Sequence, residues 1–315
     1  MSAPKTDPPK QHGFVGLKVV TDWEKLDADA VIFGIPYGKP YDPMNFPNNQ
    51  SKAPDALRVA SPRILIGHDA IDTDLNRKNY VSQFKLIDGG DIPLHDKDVQ
   101  RHYKDAEQAV RYAIRKGVIP VSIGGDDGIT NPVIRGLDGF TDITIIQIDA
   151  HLDWRDERFG EKDGYSSPMR RASELPQISA IHQIGIRSFG SSRKIDLEEA
   201  QRWGAKIHSA QKIHTHGMKS VIDALPKDGQ FFVSLDVDGL DPTVIPGTIA
   251  LAPGGIMWWE LVELFEGLVK KGKIVGLNVV ELAPKNDLNQ ISMIAVGRLI
   301  LKLLMLQLSS SGPSS

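Results

Sequence analysis

Short apolar and β-branched runs recur along the 315-residue chain, and segments with helical periodicity separate them. Runs of this length and composition indicate buried strands. They are AVIFGIP, FKLID, GVIPVSIGG, ITIIQID, AIHQIGI, QFFVSLDVD and KIVGLNVVEL. Strands of this kind that alternate with helices are typical of a mostly parallel sheet covered by helices on both faces. The pattern therefore predicts a three-layer α/β/α fold.

Helical periodicity is clearest in two segments between these runs. Residues 104–117 and 258–272 place apolar side chains three and four positions apart, and each segment ends at a glycine, a common helix stop. The longest apolar stretch, residues 291–308, is interrupted by a glycine and two basic residues. It therefore predicts a packed terminal helix rather than a membrane span.

No repeat, linker or shift in composition divides the chain, so a single domain is expected over residues 14–308. Residues 1–13 and 309–315 are polar and rich in Pro, Ser or Gly, which predicts mobile tails at both ends. Residues 37–83 carry few periodic signals and many Pro, Asn and Asp residues. This segment predicts a long excursion between the first two strands, of the kind that shapes a site or a subunit contact.

Composition narrows the classes of partner and chemistry. The net charge is -3 and neither sign is gathered into long blocks, so neither nucleic acid nor a membrane surface is expected as a partner. A small-molecule ligand is the better expectation. The absence of cysteine excludes disulfides and thiolate metal sites, which leaves His, Asp and Glu as the strong metal ligands. The first residues contain no apolar signal segment, so a cytoplasmic location is expected.

The predicted strands end in acidic residues, although buried charges are costly without compensation. Because the carboxyl ends of parallel strands meet at one edge of a sheet, these groups are expected to converge on one crevice. The acidic residues are Asp88, Asp91, Asp126, Asp127, Asp149, Asp153, Asp236, Asp238, Asp241 and Glu281.

Two of these strand ends predict a metal site. Asp149, His151 and Asp153 alternate and so point the same way, as do Asp236 and Asp238. A lone Asp after a strand is usually the N-cap of the next helix, but capping needs only one side chain. Converging carboxylates repel one another by roughly several kcal/mol unless a cation lies between them. Carboxylates and imidazole together suit Mn, Ni, Co, Fe or Zn, and the ligand types alone do not choose among these metals.

A set of motifs in fixed order resembles the ureohydrolase family, which includes arginase and agmatinase. The motifs are GGDD at 124–127, DAHLD at 149–153, SLDVDGLDP at 234–242, PGT at 246–248, APGG at 252–255 and VVELAP at 279–284. Supporting matches are APDALR at 53–58, DGGDIP at 88–93 and IGIRS at 184–188. The resemblance covers roughly residues 30 to 305. It implies one domain with an eight-stranded parallel sheet and assembly into a trimer or hexamer.

The resemblance also implies two divalent transition metals, Mn or Ni, that activate water for attack on a guanidinium carbon. The residues that match family metal ligands are Asp149, His151, Asp153, Asp236 and Asp238, with Asp149 and Asp236 in bridging positions. Asp153 and Glu281 match catalytic positions, and Glu281 would hold the flat cation through paired hydrogen bonds. Trp154, Ser167 and Glu281 are expected to line the substrate pocket.

The chain departs from the family pattern at three places near this crevice. The usual segment is GGDH, whose histidine is the sixth ligand, and Asp127 replaces that histidine here. An Asp127 carboxylate reaches about as far as the histidine Nδ1 but adds negative charge to an acidic site. Ser167 and Pro168 stand where agmatinase-like members carry His-Gly, and PGTIALAPGG lacks the middle Gly-Thr-Pro character of the family loop.

Three functional hypotheses follow. In the first, the chain is a subunit of a ureohydrolase that cleaves a small alkylguanidine or biguanide, and it resembles the metformin hydrolase type of subunit. Its own binuclear site is then impaired, and an intact paralogue is the active partner in the oligomer. In the second, it is a self-sufficient, agmatinase-like hydrolase with a re-specialised site. In the third, it is a binding or scaffolding protein without chemistry, although unneeded buried carboxylates are costly.

Overall fold

The computed structural model describes residues 2–39, 49–65, 72–75, 81–95 and 97–311. An eight-stranded sheet forms its centre, and every pair of neighbouring strands is parallel. The strands are β1 (Ala30–Ile35), β2 (Leu86–Asp91), β3 (Ile119–Gly124), β4 (Ile143–Ile148), β5 (Ile178–Ile186), β6 (Lys206–Ser209), β7 (Gly229–Asp236) and β8 (Gly272–Val280). Their order across the sheet is β2-β1-β3-β8-β7-β4-β5-β6. The predicted fold class is confirmed.

Each predicted apolar run coincides with a strand, and β6 is the strand that the pattern missed. It has four residues, none of them fully buried, and it forms one edge of the sheet. An edge strand is covered on one side only and is often short and polar, so it lacks the apolar run that marks a central strand. Only the resemblance implied an eighth strand.

Helices cover both faces of the sheet within the described ranges. They are α1 (Ala53–Ala60), α2 (Val99–Arg115), α3 (Thr130–Arg135), α4 (Pro168–Ala172), α5 (Lys194–Trp203), α6 (Ala210–His216), α7 (Lys219–Asp223), α8 (Trp258–Lys271) and α9 (Ile291–Ser311). Two separate apolar clusters lie between the layers. One holds residues of α1 and α6 to α9, and the other holds residues of α2 to α5. Alternate residues of β4 enter opposite clusters, as the strand period requires.

The terminal helix α9 is long and apolar enough to cross a membrane, but 83% of its most apolar window is buried inside the protein. It packs against α1 and α8. Its buried Lys302 reaches the carboxylate of Asp72 at 2.6 Å, which compensates the charge inside this layer. The interpretation of residues 291–308 as a packed helix therefore agrees with the structure.

The N-terminal segment differs from the expected mobile tail. Asp7 and Asp91 exchange two backbone hydrogen bonds of 2.7 and 2.8 Å. The backbones of Lys5 and Asp22 form an isolated antiparallel β-bridge. Because β2 is the other edge of the sheet, its free backbone groups can take up this extra segment. The segment around residues 5 to 7 therefore lies against the sheet edge.

The predicted C-terminal tail begins as helix, since α9 continues to Ser311, and residues 312–315 lie outside the described residues. In the predicted excursion of residues 37–83, the described parts include α1, which apolar periodicity did not mark. Residues 40–48, 66–71 and 76–80 of that excursion also lie outside the described residues.

Candidate metal centre

The site lies at the carboxyl ends of four neighbouring strands, β3, β8, β7 and β4. Because these strands are parallel and adjacent, the residues that follow them meet at one edge of the sheet. β3 leads to Asp127, β8 to Glu281, β7 to Asp236 and Asp238, and β4 to Asp149. The predicted convergence therefore follows from the order of the strands as well as from their sequences.

Two groups of potential ligands share one carboxylate. The donor atoms of Asp149, His151 and Asp238 lie within 4.8 Å of one another, and so do those of Asp127, Asp149 and Asp236. One ion can bridge such a group at ligand distances of about 2 Å. Adjacent groups of carboxylate and imidazole donors fit a pair of divalent cations, and Asp149 is placed between them.

Asp153 and Glu281 lie beside these groups rather than within them, and their backbones are strained. Asp153 has φ 47° and Glu281 has φ 66°, in the left-handed region that non-glycine residues rarely adopt. Such a residue costs about 1–3 kcal/mol and persists only where surrounding contacts hold it. The amides of Met169 and Arg170 bond to the Asp153 carbonyl, and the Glu281 amide bonds to Gly125. Strain of this kind is a common mark of functional residues.

Glu281 is connected directly to Asp127. Its Oε1 accepts a 2.8 Å hydrogen bond from the Asp127 amide, and its Oε2 accepts one of 2.6 Å from Gln50 Nε2. Burial and the nearby charge of Asp126 raise the pKa of Glu281 to about 8, against the effect of these two hydrogen bonds. Sequence reasoning missed Gln50, since it lies 231 positions away and nothing local marks it.

The buried carboxyls of the centre repel one another in the absence of a cation. Burial raises the pKa of Asp127 well above its ordinary value, and the charge of Asp149 adds to that effect. Burial and neighbouring carboxylates also raise the pKa of Asp153 and of Asp236. An added divalent cation would stabilise the ionised carboxylates, so this set of donors is better suited to binding a metal than to remaining protonated.

His151 is the imidazole of the centre, and its Nδ1 lies 3.1 Å from Asp238 Oδ2. Burial lowers the pKa of His151, but the charges of Asp238 and Asp149 outweigh burial and raise the pKa to about 11. In the metal-free protein His151 is therefore protonated at neutral pH. An imidazole must lose that proton before it can bind a metal.

Metal binding is consequently expected to release protons. The affinity for Mn²⁺ should rise from about pH 6 to about pH 9, and at least one proton should leave per ion bound at His151. Isothermal titration calorimetry in buffers of different ionisation enthalpy measures this release directly. Equal heats in all buffers, with an affinity that does not change with pH, would contradict the assignment of His151 as a ligand.

A cavity of about 260 Å³ opens above the centre and is large enough for a small molecule. Its lining includes Asp127, His151, Trp154, Ser166 and Glu281. Six acidic residues and two arginines line it, and this excess of negative charge suits a cationic ligand such as a guanidinium group.

The predicted pocket residues occupy different places. Trp154 lines the cavity and packs on Trp203, with ring centroids 5.9 Å apart. Ser167 does not line the cavity, because it directly precedes α4 and its side chain is fully buried. The Ser167 hydroxyl has no hydrogen-bond partner among the described residues. The neighbouring Ser166 lines the cavity instead.

Several acidic strand ends do not join the centre, contrary to the expectation of one crevice. Asp88 and Asp91, at the end of the edge strand β2, pair with Arg58 of α1. Asp126 accepts hydrogen bonds from the amides of Lys39 and Gly128. These residues satisfy buried cations and backbone donors, which is the ordinary role of a lone Asp after a strand.

Asp241 is also outside the centre and organises the loop behind it. Its carboxylate accepts hydrogen bonds from the hydroxyl and amide of Thr243 and from the amides of Gly254 and Gly255. Although burial opposes them, these bonds lower its pKa to about 2. Arg187 reinforces the same loop, donating to the carbonyls of Asp238 at 2.6 Å and Gly239 at 3.1 Å. Arg187 belongs to the IGIRS motif, and this motif is the feature of the sequence that pointed to Arg187.

Close backbone contact brings the two main ligand segments together. A Cβ at Gly239 would lie 2.4 Å from the backbone nitrogen of Asp149, so only glycine fits this approach. The glycine of the SLDVDGLDP motif thus allows the loop with Asp236 and Asp238 to touch the end of β4.

Comparison with known proteins agrees with this geometry. The sequence profile of the arginase family matches residues 28–306. The agmatinase of Bacillus subtilis is 30% identical over 268 residues, which cover 84% of this chain and 87% of that protein. The N(1)-aminopropylagmatine ureohydrolase of Thermus thermophilus is 30% identical over 191 residues, which cover 60% of this chain and 62% of that protein.

Solved structures give the same result. Proclavaminate amidino hydrolase from Streptomyces clavuligerus superposes with a TM-score of 0.81 at 26% identity, over 96% of this chain and 98% of that one. The agmatine ureohydrolase of Thermoplasma volcanium has a TM-score of 0.74 at 26% identity, over 89% and 90% of the two chains. With its profile match, near-full-length relatives and acidic centre, the chain belongs to the arginase family, the ureohydrolases of the agmatinase and arginase type.

Proposed function

We propose that this chain is a subunit of a ureohydrolase that hydrolyses a carbon–nitrogen bond of a small alkylguanidine or biguanide, as in the metformin or dimethylguanidine hydrolase type. Its own binuclear site is weakened. An intact paralogue is the active partner in a trimeric or hexameric assembly located in the cytoplasm. Mn or Ni is the proposed metal.

The observation that carries this proposal is the position of Asp127. It is buried in the second ligand group, facing Asp149 and Asp236, at the place where the resembling family carries a histidine. An anionic donor there adds to the repulsion among the carboxylates, which already raises their pKa values. A site that retains most of its ligands but replaces a neutral one should hold two metals less well.

The remaining residues support guanidine chemistry in outline. When bound, two divalent ions lower the pKa of water toward neutrality. Glu281 faces the same cavity and can orient a planar guanidinium through paired hydrogen bonds. Asp153 also lines the cavity, where it can accept a proton from the attacking water.

The histidine that agmatinase-like members carry for proton delivery to the leaving amine is replaced in this chain. Ser167 stands where agmatinase-like members carry histidine, and its hydroxyl is buried outside the cavity lining. A positioned imidazole typically contributes about 10²–10⁴-fold to a rate. Both the metal and the proton-transfer parts of the reaction are therefore affected.

The experiment is metal analysis of the purified chain, together with an assay of urea or amine release from a panel of guanidines. We expect fewer than two metals per chain and little or no turnover, because Asp127 adds a carboxylate to the centre and Ser167 replaces the histidine of agmatinase-like members. Native mass spectrometry of the complex isolated from its own host tests for the paralogue.

The second candidate is a self-sufficient, agmatinase-like hydrolase with a re-specialised site. It is favoured by the two groups of potential ligands that remain close together around Asp149. Two tightly bound metals per chain, with turnover of an alkylguanidine in the absence of any partner, would establish this alternative and remove the first. Two metals without turnover of any guanidine would instead favour a binding or scaffolding role.

A further inference from the structure

Two buried glutamines connect the metal centre to the neighbouring strand. Gln147 lies on β4 two positions before Asp149, and Gln183 lies opposite it in register on β5. Both side chains are fully buried. Because alternate residues of a strand share a face, Gln147 points to the same side as the end of β4 where the ligands begin.

The hydrogen bonds of this pair run from Gln183 through Gln147 to the carboxylates of the centre. Gln147 Nε2 donates to Asp149 Oδ2 at 2.7 Å and to Asp153 Oδ2 at 3.3 Å. Gln183 Nε2 donates to the Leu152 carbonyl at 2.7 Å and to Gln147 Oε1 at 2.6 Å. The Leu152 carbonyl can only accept, so Gln183 must present its NH₂ group to it, and Gln147 must accept the other Gln183 N–H through Oε1, which turns its own NH₂ group toward the carboxylates.

We propose that Gln147, held in place by Gln183, is a positioning residue that fixes the orientation of Asp149 and Asp153 toward the metals. Asp149 is the carboxylate shared by both ligand groups, so its orientation affects both metal positions. One amide nitrogen between the buried Asp149 carboxylate and the partly buried Asp153 carboxylate holds them at a set separation.

This inference rests on the metal-site part of the proposed function and adds residues outside the family's ligand motifs. Groups that orient metal ligands through hydrogen bonds typically contribute about 10- to 100-fold to metal affinity. Gln147 itself does not line the cavity and acts only through the carboxylates that it contacts. Its effect must therefore appear in metal binding, even where no turnover is measured.

The test compares Mn²⁺ affinity in Gln147→Met, Gln183→Met and the native chain, each also in an Asp127→His background. We expect Gln147→Met to lower the Mn²⁺ affinity by about 10- to 100-fold. Gln183→Met should lower it less, because the Gln147 amide can still donate to Asp149 and Asp153 but no longer accepts the hydrogen bond from Gln183 that holds it in place. The electron paramagnetic resonance spectrum of bound Mn²⁺ should change in Gln147→Met, since the ligand geometry is altered. Urea titration of each metal-free variant measures its free energy of unfolding, and this shows whether a loss of Mn²⁺ affinity merely reflects a less stable fold.

Gln177→Met is the matched control. Gln177 is also buried, at the start of β5, but its amide makes only a 3.5 Å contact with the Ile134 carbonyl. Its replacement should leave Mn²⁺ affinity unchanged. Equal affinity of Gln147→Met and its parent, an equal loss in Gln177→Met, or no Mn²⁺ binding in either background would overturn the inference. Tight binding of two Mn²⁺ ions with turnover by the native chain alone would refute the impaired site and still leave the Gln147 comparison readable.

Discussion

Replacing Asp127 with histidine is expected to raise the metal content of the chain to two ions, whereas activity should return only when the loop of residues 164–171 also receives a histidine. Histidine removes one carboxylate from the group around Asp149 and Asp236 and supplies a neutral donor. The second change is Ser167→His with Pro168→Gly. We expect the combined variant to exceed Asp127→His in turnover of an alkylguanidine by roughly 10²-fold or more, the usual contribution of a positioned acid or base.

Asp127→Asn is the control for this experiment. It removes the same charge but supplies no imidazole, so it separates relief of repulsion from coordination. Metal content is measured by plasma mass spectrometry and turnover by release of urea or amine. If Asp127→His leaves the metal content where it is in the native chain, then residue 127 is not what limits metal binding. If Asp127→His alone restores turnover, the missing imidazole at 167 is not a defect.

Replacing Arg58 with methionine is expected to destabilise the fold by about 3–5 kcal/mol, the usual effect of leaving buried charges without their partner. Arg58 is 2% exposed, and its guanidinium donates twice to Asp88, at 2.8 and 3.0 Å, and once to Asp91 at 2.7 Å. Asp88 is itself fully buried. Its carboxylate also accepts the Phe14 amide, so the charge it carries lies deep between the sheet edge, α1 and the N-terminal segment.

The measurement is the free energy of unfolding from urea titration. The dependence of this free energy on urea concentration should be the same in both proteins, so that the difference reports stability alone. Arg58→Lys should be intermediate, because lysine keeps the charge but lacks the planar fork that binds two oxygens at once. Arg111→Met is the surface control, since its partner Asp138 is 44% exposed and such pairs contribute about 0–1 kcal/mol. A loss at Arg58 no larger than the loss at Arg111 would show that the buried triad does not stabilise the fold.

The fate of the acidic strand ends shows where sequence reasoning stopped. Asp88 and Asp149 have the same local context, a carboxylate after an apolar run. Asp149 follows a central strand and meets the carboxylates at the end of β7, whereas Asp88 lies within the edge strand β2 beside Arg58. The difference depends on the order of strands in the sheet, which local patterns do not contain. The alternation argument also fails at Asp153, because residues 149–153 lie beyond β4 and Asp153 has a left-handed backbone.

The sequence by itself determined the class of fold, the central strands and the ligand segments, because apolar period and motif order are local properties that survive without knowledge of contacts. It also marked Asp127 and Ser167 as departures from the family pattern. Only the tertiary structure decided that Ser166 rather than Ser167 lines the cavity, that the Asp127 amide bonds to Glu281, and that Gln147 and Gln183 are hydrogen-bonded to each other beside the centre. These features depend on contacts between residues far apart in the chain, and such contacts exist only once the sheet has placed its strands side by side.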